Sequence, residues 1–170
     1  MDALNTTDHY QYLIGYPNGN FAPNRGMTRA EVATMFTRLL RERPVKGQRY
    51  YTGFSDIQAG DWYANTVGYA VQVGIVSGYP DGSFKPERKI TRSEVVSITN
   101  IMLDRYADKD YVRDHLPEMI PFHDLTEANW AYFPIMEATH GHDYTRKAPQ
   151  EENWIRLNGE EFRFPLLLSL

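Results

Sequence analysis

Apolar side chains recur at helical spacing in two segments that lie 63 positions apart. The inward positions are Val32, Met35, Phe36, Leu39 and Leu40 in the first segment, and Val95, Ile98, Thr99, Met102 and Leu103 in the second. Because residues at i, i+3, i+4 and i+7 share one face of a helix, each segment is predicted to be an amphipathic helix. Pro44 is expected to end the first helix at about Arg43.

Both predicted helices begin with the same capping signal. Thr28 and Thr91 are each followed three residues later by a glutamate, Glu31 and Glu94. In such a capping box the threonine hydroxyl accepts from the third helical amide, and the glutamate accepts from the threonine amide. The capping signals therefore predict helix starts at Arg29 and Arg92.

A glycine-rich turn precedes each capped helix. Residues 78–86 read Gly-Tyr-Pro-Asp-Gly-Ser-Phe-Lys-Pro, and residues 15–23 read Gly-Tyr-Pro-Asn-Gly-Asn-Phe-Ala-Pro. Proline followed by Asp or Asn and then Gly favours a β-turn. A motif repeated at one offset indicates that one supersecondary unit is used more than once.

A second repeated motif predicts the other helix of the unit. Phe-x-Asp followed by Trp occurs at residues 54–62 and again, 68 positions later, at residues 122–130. Helical periods after each Trp predict helices over about 61–73 and 128–139. The motif order predicts the second half of one unit at residues 5–45, a full unit at 53–106, the first half of a third at 120–148 and a tail at 149–170. These parts are expected to form one compact domain.

The composition disfavours several classes of protein. The chain has 170 residues, 42% of them hydrophobic, which is more than a disordered chain usually carries. Its net charge of -4 argues against a nucleic-acid partner. The first seven residues lack the basic and apolar regions of a signal peptide, and no apolar run approaches the roughly 20 residues of a membrane span. Cysteine is absent, so thiolate metal sites and disulfides are excluded.

Over about residues 9–144 the ordered motifs resemble the S-layer homology (SLH) domain family. The resemblance implies an all-α, pseudo-threefold bundle of helix-loop-helix repeats with short turns or strands between the helices. It also implies a non-catalytic anchor at the bacterial cell surface, in the cell wall or S-layer. Such modules bind secondary cell wall polymer, often with pyruvylated sugars, in grooves between adjacent units. Unit one lacks its Phe-x-Asp-Trp half and unit three lacks the turn and the Arg box, so fewer grooves are expected.

The two arginines after the caps are the predicted anion receptors. Arg29 and Arg92 occupy the first helical position, where free amides and the guanidinium fork can receive a carboxylate such as that of a pyruvyl group. A positive side chain is slightly unfavourable at a helix N-terminus, so its repetition favours a function. The alternative is that both are ordinary first-turn surface residues.

The remaining predicted ligand-binding residues each have a structural alternative. Trp62 and Trp130 either stack on sugar faces or fill the core. Asp56 and Asp124 either hold sugar hydroxyls or, as we favour, cap a helix or pair with arginine. The predicted wall of a sugar groove, with turn geometry as its alternative, consists of Gly15, Tyr16, Ser77, Gly78 and Tyr79.

Other functions are weaker. His140, His142 and Asp143 lack a further ligand, and His9 shows no metal spacing, so neither a metal nor a cofactor is predicted. A glycan-active enzyme using Asp56 and Asp124 is disfavoured because the two carboxylates are copies within a repeat. A self-associating module remains open: the incomplete end units would complete each other within one chain, or between chains as a homodimer.

Overall fold

The computed structural model describes residues 4–162, which fall into two compact units. Of these residues, unit 1 contains 4–5 and 26–90, and unit 2 contains 6–25 and 91–162. The described part of the chain is mixed, with 30% helix, 15% strand and two antiparallel two-stranded sheets. The prediction of an all-α, pseudo-threefold bundle is therefore wrong. The predicted repeat borders at 5–45, 53–106 and 120–148 stay a prediction.

Unit 1 is built on two packed helices, α1 (Arg29–Arg38) and α2 (Ala64–Gln72). A short strand, β1 (Gly26–Thr28), leads into α1 and pairs with β2 (Lys89–Thr91), whose first two residues belong to this unit. The core side chains that the two helices bury are mostly aliphatic: Ala33, Met35, Val67 and Ala70.

The start of α1 agrees with the sequence, but its end does not. The amide of Glu31 donates to Thr28 Oγ1 over 3.2 Å, and the amide of Thr28 donates to the Glu31 carboxylate over 3.0 Å, which confirms the capping box. The helix ends at Arg38, five residues before the predicted end. Leu40 instead forms a backbone bridge with Leu4, so pairing with the start of the chain ends the helix before Pro44.

Unit 2 contains three further helices. They are α3 (Arg92–Met102), α4 (Lys109–Asp114) and α5 (Tyr132–Thr139), with a 3-10 turn at Leu116–Glu118. The box of Thr91 and Glu94 caps α3 as predicted. Helix α3 packs on α5, where the Asn100 amide donates to the carbonyl of Pro134 over 3.0 Å. Ile98, predicted to face inward, is 50% exposed, so the buried face of α3 is narrower than its sequence indicates.

A β-hairpin follows α5 and accounts for most of the unpredicted strand. Strands β3 (His142–Ala148) and β4 (Glu151–Leu157) pair antiparallel, with Tyr144 opposite Trp154. Along β4 Glu152 and Trp154 are buried while Ile155 is 58% exposed. The buried face is thus polar and aromatic, whereas an exposed position is apolar. The two strands therefore lack the alternation of apolar and polar residues that predicts a half-buried strand.

Segment 6–25, the chain start of unit 2, packs against later parts of the same unit. The amide of Tyr12 donates to the Ala138 carbonyl over 3.0 Å, and the amide of Phe162 donates to the Gln11 carbonyl over 3.0 Å. Phe162 is buried and lies against Tyr10. The end of the predicted C-terminal tail, residues 163–170, lies outside the described residues.

Within residues 4–162, no helix has the length and apolar character needed to cross a membrane.

Gly68 provides a test of the packing in unit 1. A Cβ at this position would lie 2.1 Å from the carbonyl oxygen of Tyr50, so Gly68→Ala forces helix α2 and the backbone at Tyr50 apart. We expect the substitution to lower the unfolding free energy by about 1–3 kcal/mol. This loss is expected even though alanine favours a helix over glycine by about 1 kcal/mol. Urea unfolding followed by circular dichroism measures the change.

The control is Gly60→Ala, because a Cβ there meets no atom within 4 Å and the backbone is not left-handed. Its unfolding free energy should stay within about 0.5 kcal/mol of the wild type. If the Gly68→Ala protein is as stable as the control, Gly68 and the carbonyl of Tyr50 do not approach each other as closely as described.

Candidate functional site

The side chain of Arg29 lies across the glycine-rich turn of unit 1. Its Nε donates to the carbonyl of Phe84 over 2.8 Å, and an Nη atom donates to the carbonyl of Ser77 over 2.9 Å. The guanidinium lies 4.5 Å from the ring centroid of Phe84 and 4.9 Å from that of Tyr79. Arg29 therefore holds the turn at residues 78–86, which belongs to the other copy of the repeat and does not directly precede its own helix.

Arg92 makes the same contacts in unit 2. Its Nε donates to the carbonyl of Phe21 over 3.0 Å, and an Nη atom donates to the carbonyl of Ile14 over 2.7 Å. Its guanidinium lies 4.4 Å from the ring of Phe21 and 4.9 Å from that of Tyr16. Arg92 is only 4% exposed, so its charge is held mainly by carbonyls and ring faces.

The two aspartates hold the same turns from the amide side. Asp56 accepts from the amides of Phe84 and Lys85 over 2.9 and 2.8 Å. Burial alone would raise the pKa of Asp56, but these two amides outweigh it and hold the pKa below its ordinary value. Asp124 accepts in the same way from the amides of Phe21 and Ala22, over 2.8 and 2.7 Å. Their observed role is thus turn stabilisation, neither helix capping nor pairing with arginine.

The glycines of the predicted wall face phenyl rings of the protein. A Cβ on Gly78 would lie 2.2 Å from Cε1 of Phe54, and one on Gly15 would lie 2.6 Å from Cε1 of Phe122. Each glycine therefore makes room for a phenylalanine of the Phe-x-Asp motif. The space predicted for a sugar at these two positions is filled by the chain itself.

Basic side chains gather around Tyr79 in unit 1. Lys85 Nζ lies 4.3 Å from its ring centroid, and Arg88 donates to its hydroxyl over 2.8 Å. With Arg29 these residues form the Tyr79 cluster: Arg29, Tyr79, Lys85 and Arg88. Lys85 and Arg88 are exposed, so the cluster presents positive charge to solvent beside a half-buried aromatic ring.

Unit 2 contains a smaller counterpart. The guanidinium of Arg25 lies 4.9 Å from the ring of Tyr16, and Arg92 lies at the same distance. We call Tyr16, Arg25 and Arg92 the Tyr16 cluster. Ala22 stands at the repeat position of Lys85, so this cluster has one basic residue fewer. Sequence reasoning missed Arg25 and Arg88, although both occupy the same position of the 63-residue repeat.

The predicted tryptophans are exposed on the surface. Trp62 is 51% exposed and Trp130 is 65% exposed, so neither fills the core. The ring of Trp62 meets Tyr63 edge to face, with centroids 5.3 Å apart. Within residues 4–162, neither tryptophan joins the hydrogen bonds that hold the turns.

Ser77, the remaining residue of the predicted sugar groove, is exposed, and its carbonyl accepts a hydrogen bond from Arg29.

The three residues considered for a metal in the sequence do not converge. His140 Nε2 accepts from the amide of Ile120 over 2.9 Å. Asp143 lies nearer the surface and accepts from Arg156 and Asn158. His142 is the most buried of the three, with 2% of its surface exposed.

Comparison with known proteins identifies the repeats. Residues 11–33 and 53–96 match the S-layer homology domain. Cell surface glycoprotein 1 of Acetivibrio thermocellus is 41% identical over 91 residues, which are 54% of this chain and 4% of that protein. The cellulosome-anchoring protein of the same organism is 36% identical over 101 residues, 59% of this chain and 23% of that protein.

An enzyme also contains a similar segment. The amylopullulanase of Thermoanaerobacterium thermosulfurigenes is 40% identical over 113 residues, 64% of this chain and 6% of the enzyme. The chain thus spans less than a quarter of each of these relatives. No solved structure matches it significantly. Residues 11–33 and 53–96, which contain the repeated turns and the capped helix starts, are thus S-layer homology segments.

Proposed function

We propose that this chain anchors a protein to the bacterial cell surface by binding an anionic cell wall polymer. Relatives with surface-layer, cell-wall and anchoring names support the location and the general role. The observation that carries the binding proposal is the repeated basic and aromatic cluster, at Tyr79 in unit 1 and at Tyr16 in unit 2. A polysaccharide with pyruvyl carboxylates has the charge and the sugar faces that such clusters recognise.

The exposed members of each cluster are the proposed ligand contacts. Arg29 and Arg92 already donate to two carbonyls each, so we assign them the positioning of the turn and a contribution to the local charge. Lys85 and Arg88 in unit 1, and Arg25 in unit 2, are exposed and available to a carboxylate. Trp62 and Trp130 offer exposed rings on which a sugar of the same polymer can stack.

The chain itself is proposed to be non-catalytic. Asp56 and Asp124, the two carboxylates considered for glycan hydrolysis, each accept two backbone amides of a turn. For Asp56 these bonds hold the pKa below its ordinary value, which opposes a role as general acid. The enzymes among the relatives carry the similar segment as a small part of their length. Completion of the half units between two chains, as a homodimer, stays a prediction.

Calorimetric titration with purified secondary cell wall polymer tests the binding proposal. We expect the combined Lys85→Ala and Arg88→Ala variant to bind at least about tenfold more weakly, because two charge-assisted contacts are lost. Arg25→Ala should have a smaller effect, since the Tyr16 cluster has fewer basic residues. Polymer from which the pyruvyl groups have been removed should bind weakly to all variants.

Lys46→Ala is the matched control, because it removes an exposed positive charge from unit 1 outside the Tyr79 cluster. It should bind as the wild type does. Equal loss in the control and the cluster variant would indicate non-specific charge attraction. Unchanged affinity in the cluster variant, with the fold intact by circular dichroism, would exclude the Tyr79 cluster as the polymer site.

The positioning role of the arginines has its own test. We expect Arg92→Ala to lower the unfolding free energy by about 1–3 kcal/mol, because two turn carbonyls lose their donor. Arg29→Ala should have the smaller effect, as Arg29 is only half-buried. Urea unfolding gives both values, with the exposed Arg41→Ala as control. If Arg92→Ala keeps wild-type stability but loses polymer binding, Arg92 is a ligand contact and our assignment is wrong.

A further inference from the structure

Four buried side chains of unit 2 direct nitrogen and oxygen atoms at one point. They come from segment 6–25, helix α5 and the two hairpin strands, and we call them the His-Glu cluster: His9, Glu137, His142 and Glu152. Each is at most 3% exposed, and one ligand atom from each lies within 4.8 Å of all the others. These residues are up to 143 positions apart in sequence, so the fold alone brings them together.

Histidine nitrogens and carboxylate oxygens alternate around the cluster, so that each nitrogen lies near two oxygens. His9 Nδ1 lies 3.2 Å from Glu152 Oε2 and 3.6 Å from Glu137 Oε1. His142 Nε2 lies 3.3 Å from the same Glu137 oxygen and 3.5 Å from the same Glu152 oxygen. Four ligands at zinc distances of about 2.0–2.1 Å form a tetrahedron with edges of roughly 3.3–3.4 Å. The four observed nitrogen–oxygen separations are close to four of the six edges of such a tetrahedron, and all four atoms lie within 4.8 Å of one another.

The histidine His142 is oriented as a metal ligand would be. Its Nδ1 lies 2.8 Å from the carbonyl oxygen of His140, so Nδ1 carries the proton that this bond requires. Nε2 then points at the two carboxylates, yet it makes no well-formed hydrogen bond and neither does Glu137 Oε2. A histidine that donates its other nitrogen to a backbone carbonyl is the usual outer-shell arrangement around a metal.

Neighbouring groups hold the other ligands in place. Arg105 Nε donates to Glu137 Oε1 over 2.9 Å, and the amide of Tyr106 donates to Glu152 Oε1 over 2.8 Å. The rings of His9 and His142 stack on Tyr144 and Trp154, with centroids 3.6 and 3.8 Å apart. The cluster is therefore rigid before any ligand arrives, as a selective metal site requires.

The charged groups around the cluster are compatible with a bound cation. Arg105 faces Glu137, and its charge is also met by the carbonyls of Tyr10 and Glu137. Arg146 approaches Glu152 at 3.8 Å but lies closer, at 3.1 Å, to Asp104. The carboxylates of Glu137 and Glu152 both face the ring of His142, so the cluster favours one more positive charge beside Nε2.

A proton is the simplest such charge, but the geometry fits it poorly. A charged N–H donor and a carboxylate normally approach to about 2.7–2.9 Å. His142 Nε2 instead lies 3.3 and 3.5 Å from its two oxygens, between them rather than bonded to one. A cation at the centre of the four atoms would use both histidine lone pairs and both carboxylates together.

We propose that His9, Glu137, His142 and Glu152 bind one divalent transition-metal ion of the Zn²⁺ type in a tetrahedral, structural site. Two imidazoles and two carboxylates form a ligand set suited to Zn²⁺ and Co²⁺ rather than to the harder Ca²⁺ and Mg²⁺. All four ligands are protein side chains and all are buried, which is typical of structural rather than catalytic zinc. Because the ligands come from three separate parts of unit 2, the ion would tie segment 6–25 to the hairpin.

Cobalt spectroscopy on the whole chain, free of any affinity tag and stripped with a chelator, tests the proposal. We expect Co²⁺ to give the visible absorption bands of tetrahedral coordination, saturating at one ion per chain and disappearing when Zn²⁺ is added. Free Zn²⁺ at a hundredfold excess over its Kd should raise Tm by about 5–10 °C. Ca²⁺ and Mg²⁺ should do neither.

Two neighbouring residues provide the matched variants. Glu152→Gln removes a ligand and should abolish the cobalt bands and the Zn²⁺-dependent rise in Tm. Glu151→Gln removes the same charge one position away, where Glu151 is exposed and pairs with Lys147, and should keep both. The wild-type titration is decisive even if Glu152→Gln fails to fold. A folded, stripped wild type without tetrahedral bands and without a Zn²⁺ effect on Tm would overturn the site, and the cluster would then be a buried ion-pair network with His142 protonated.

Discussion

The glycine-rich turn, held from both sides by an arginine and an aspartate, is the interaction on which the rest of the structure depends. In each unit an aspartate accepts two successive amides of the turn, while an arginine donates to two of its carbonyls. Backbone groups in a loop lack the partners that helices and strands supply, so they need such side chains. The aspartate and the arginine supply those partners to the turn.

The same arrangement determines where basic charge is displayed. Because Arg29 is bound to the turn carbonyls, its guanidinium lies against Tyr79, and the exposed Lys85 and Arg88 gather beside the same ring. The structural role of one arginine and the proposed binding role of its neighbours are therefore connected. Unit 2 repeats the arrangement with Ala22 in place of the lysine, so the two units are expected to differ in affinity rather than in kind.

Short-range features were predictable from the sequence, and long-range ones were not. The boxes at Thr28 and Thr91 involve residues three apart, and both were predicted correctly. The hairpin was missed because its buried face carries His142, Tyr144 and Glu152, so it has no apolar alternation. Likewise, no spacing rule could connect His9 with three residues more than 125 positions later.

The aspartates illustrate a different limit. Their repetition correctly marked a repeated structure, but capping and arginine pairing were the wrong roles, because the turn amides that Asp124 binds lie about 100 positions away.

The tryptophans could not be assigned to core or surface from spacing alone, since helical periodicity shows which residues share a face and not which face is covered. In the structure Trp62 and Trp130 lie just before α2 and α5, outside the helices whose periodicity was used.

Segment 6–25 connects the two proposed sites of unit 2. Its first half supplies His9 to the His-Glu cluster, and its second half supplies Tyr16 and the turn that Asp124 and Arg92 hold. A chain segment with no helix of its own keeps its shape only through such contacts. Fixing His9 would therefore restrict the residues that lead to Tyr16, and loss of the cluster should loosen the Tyr16 cluster.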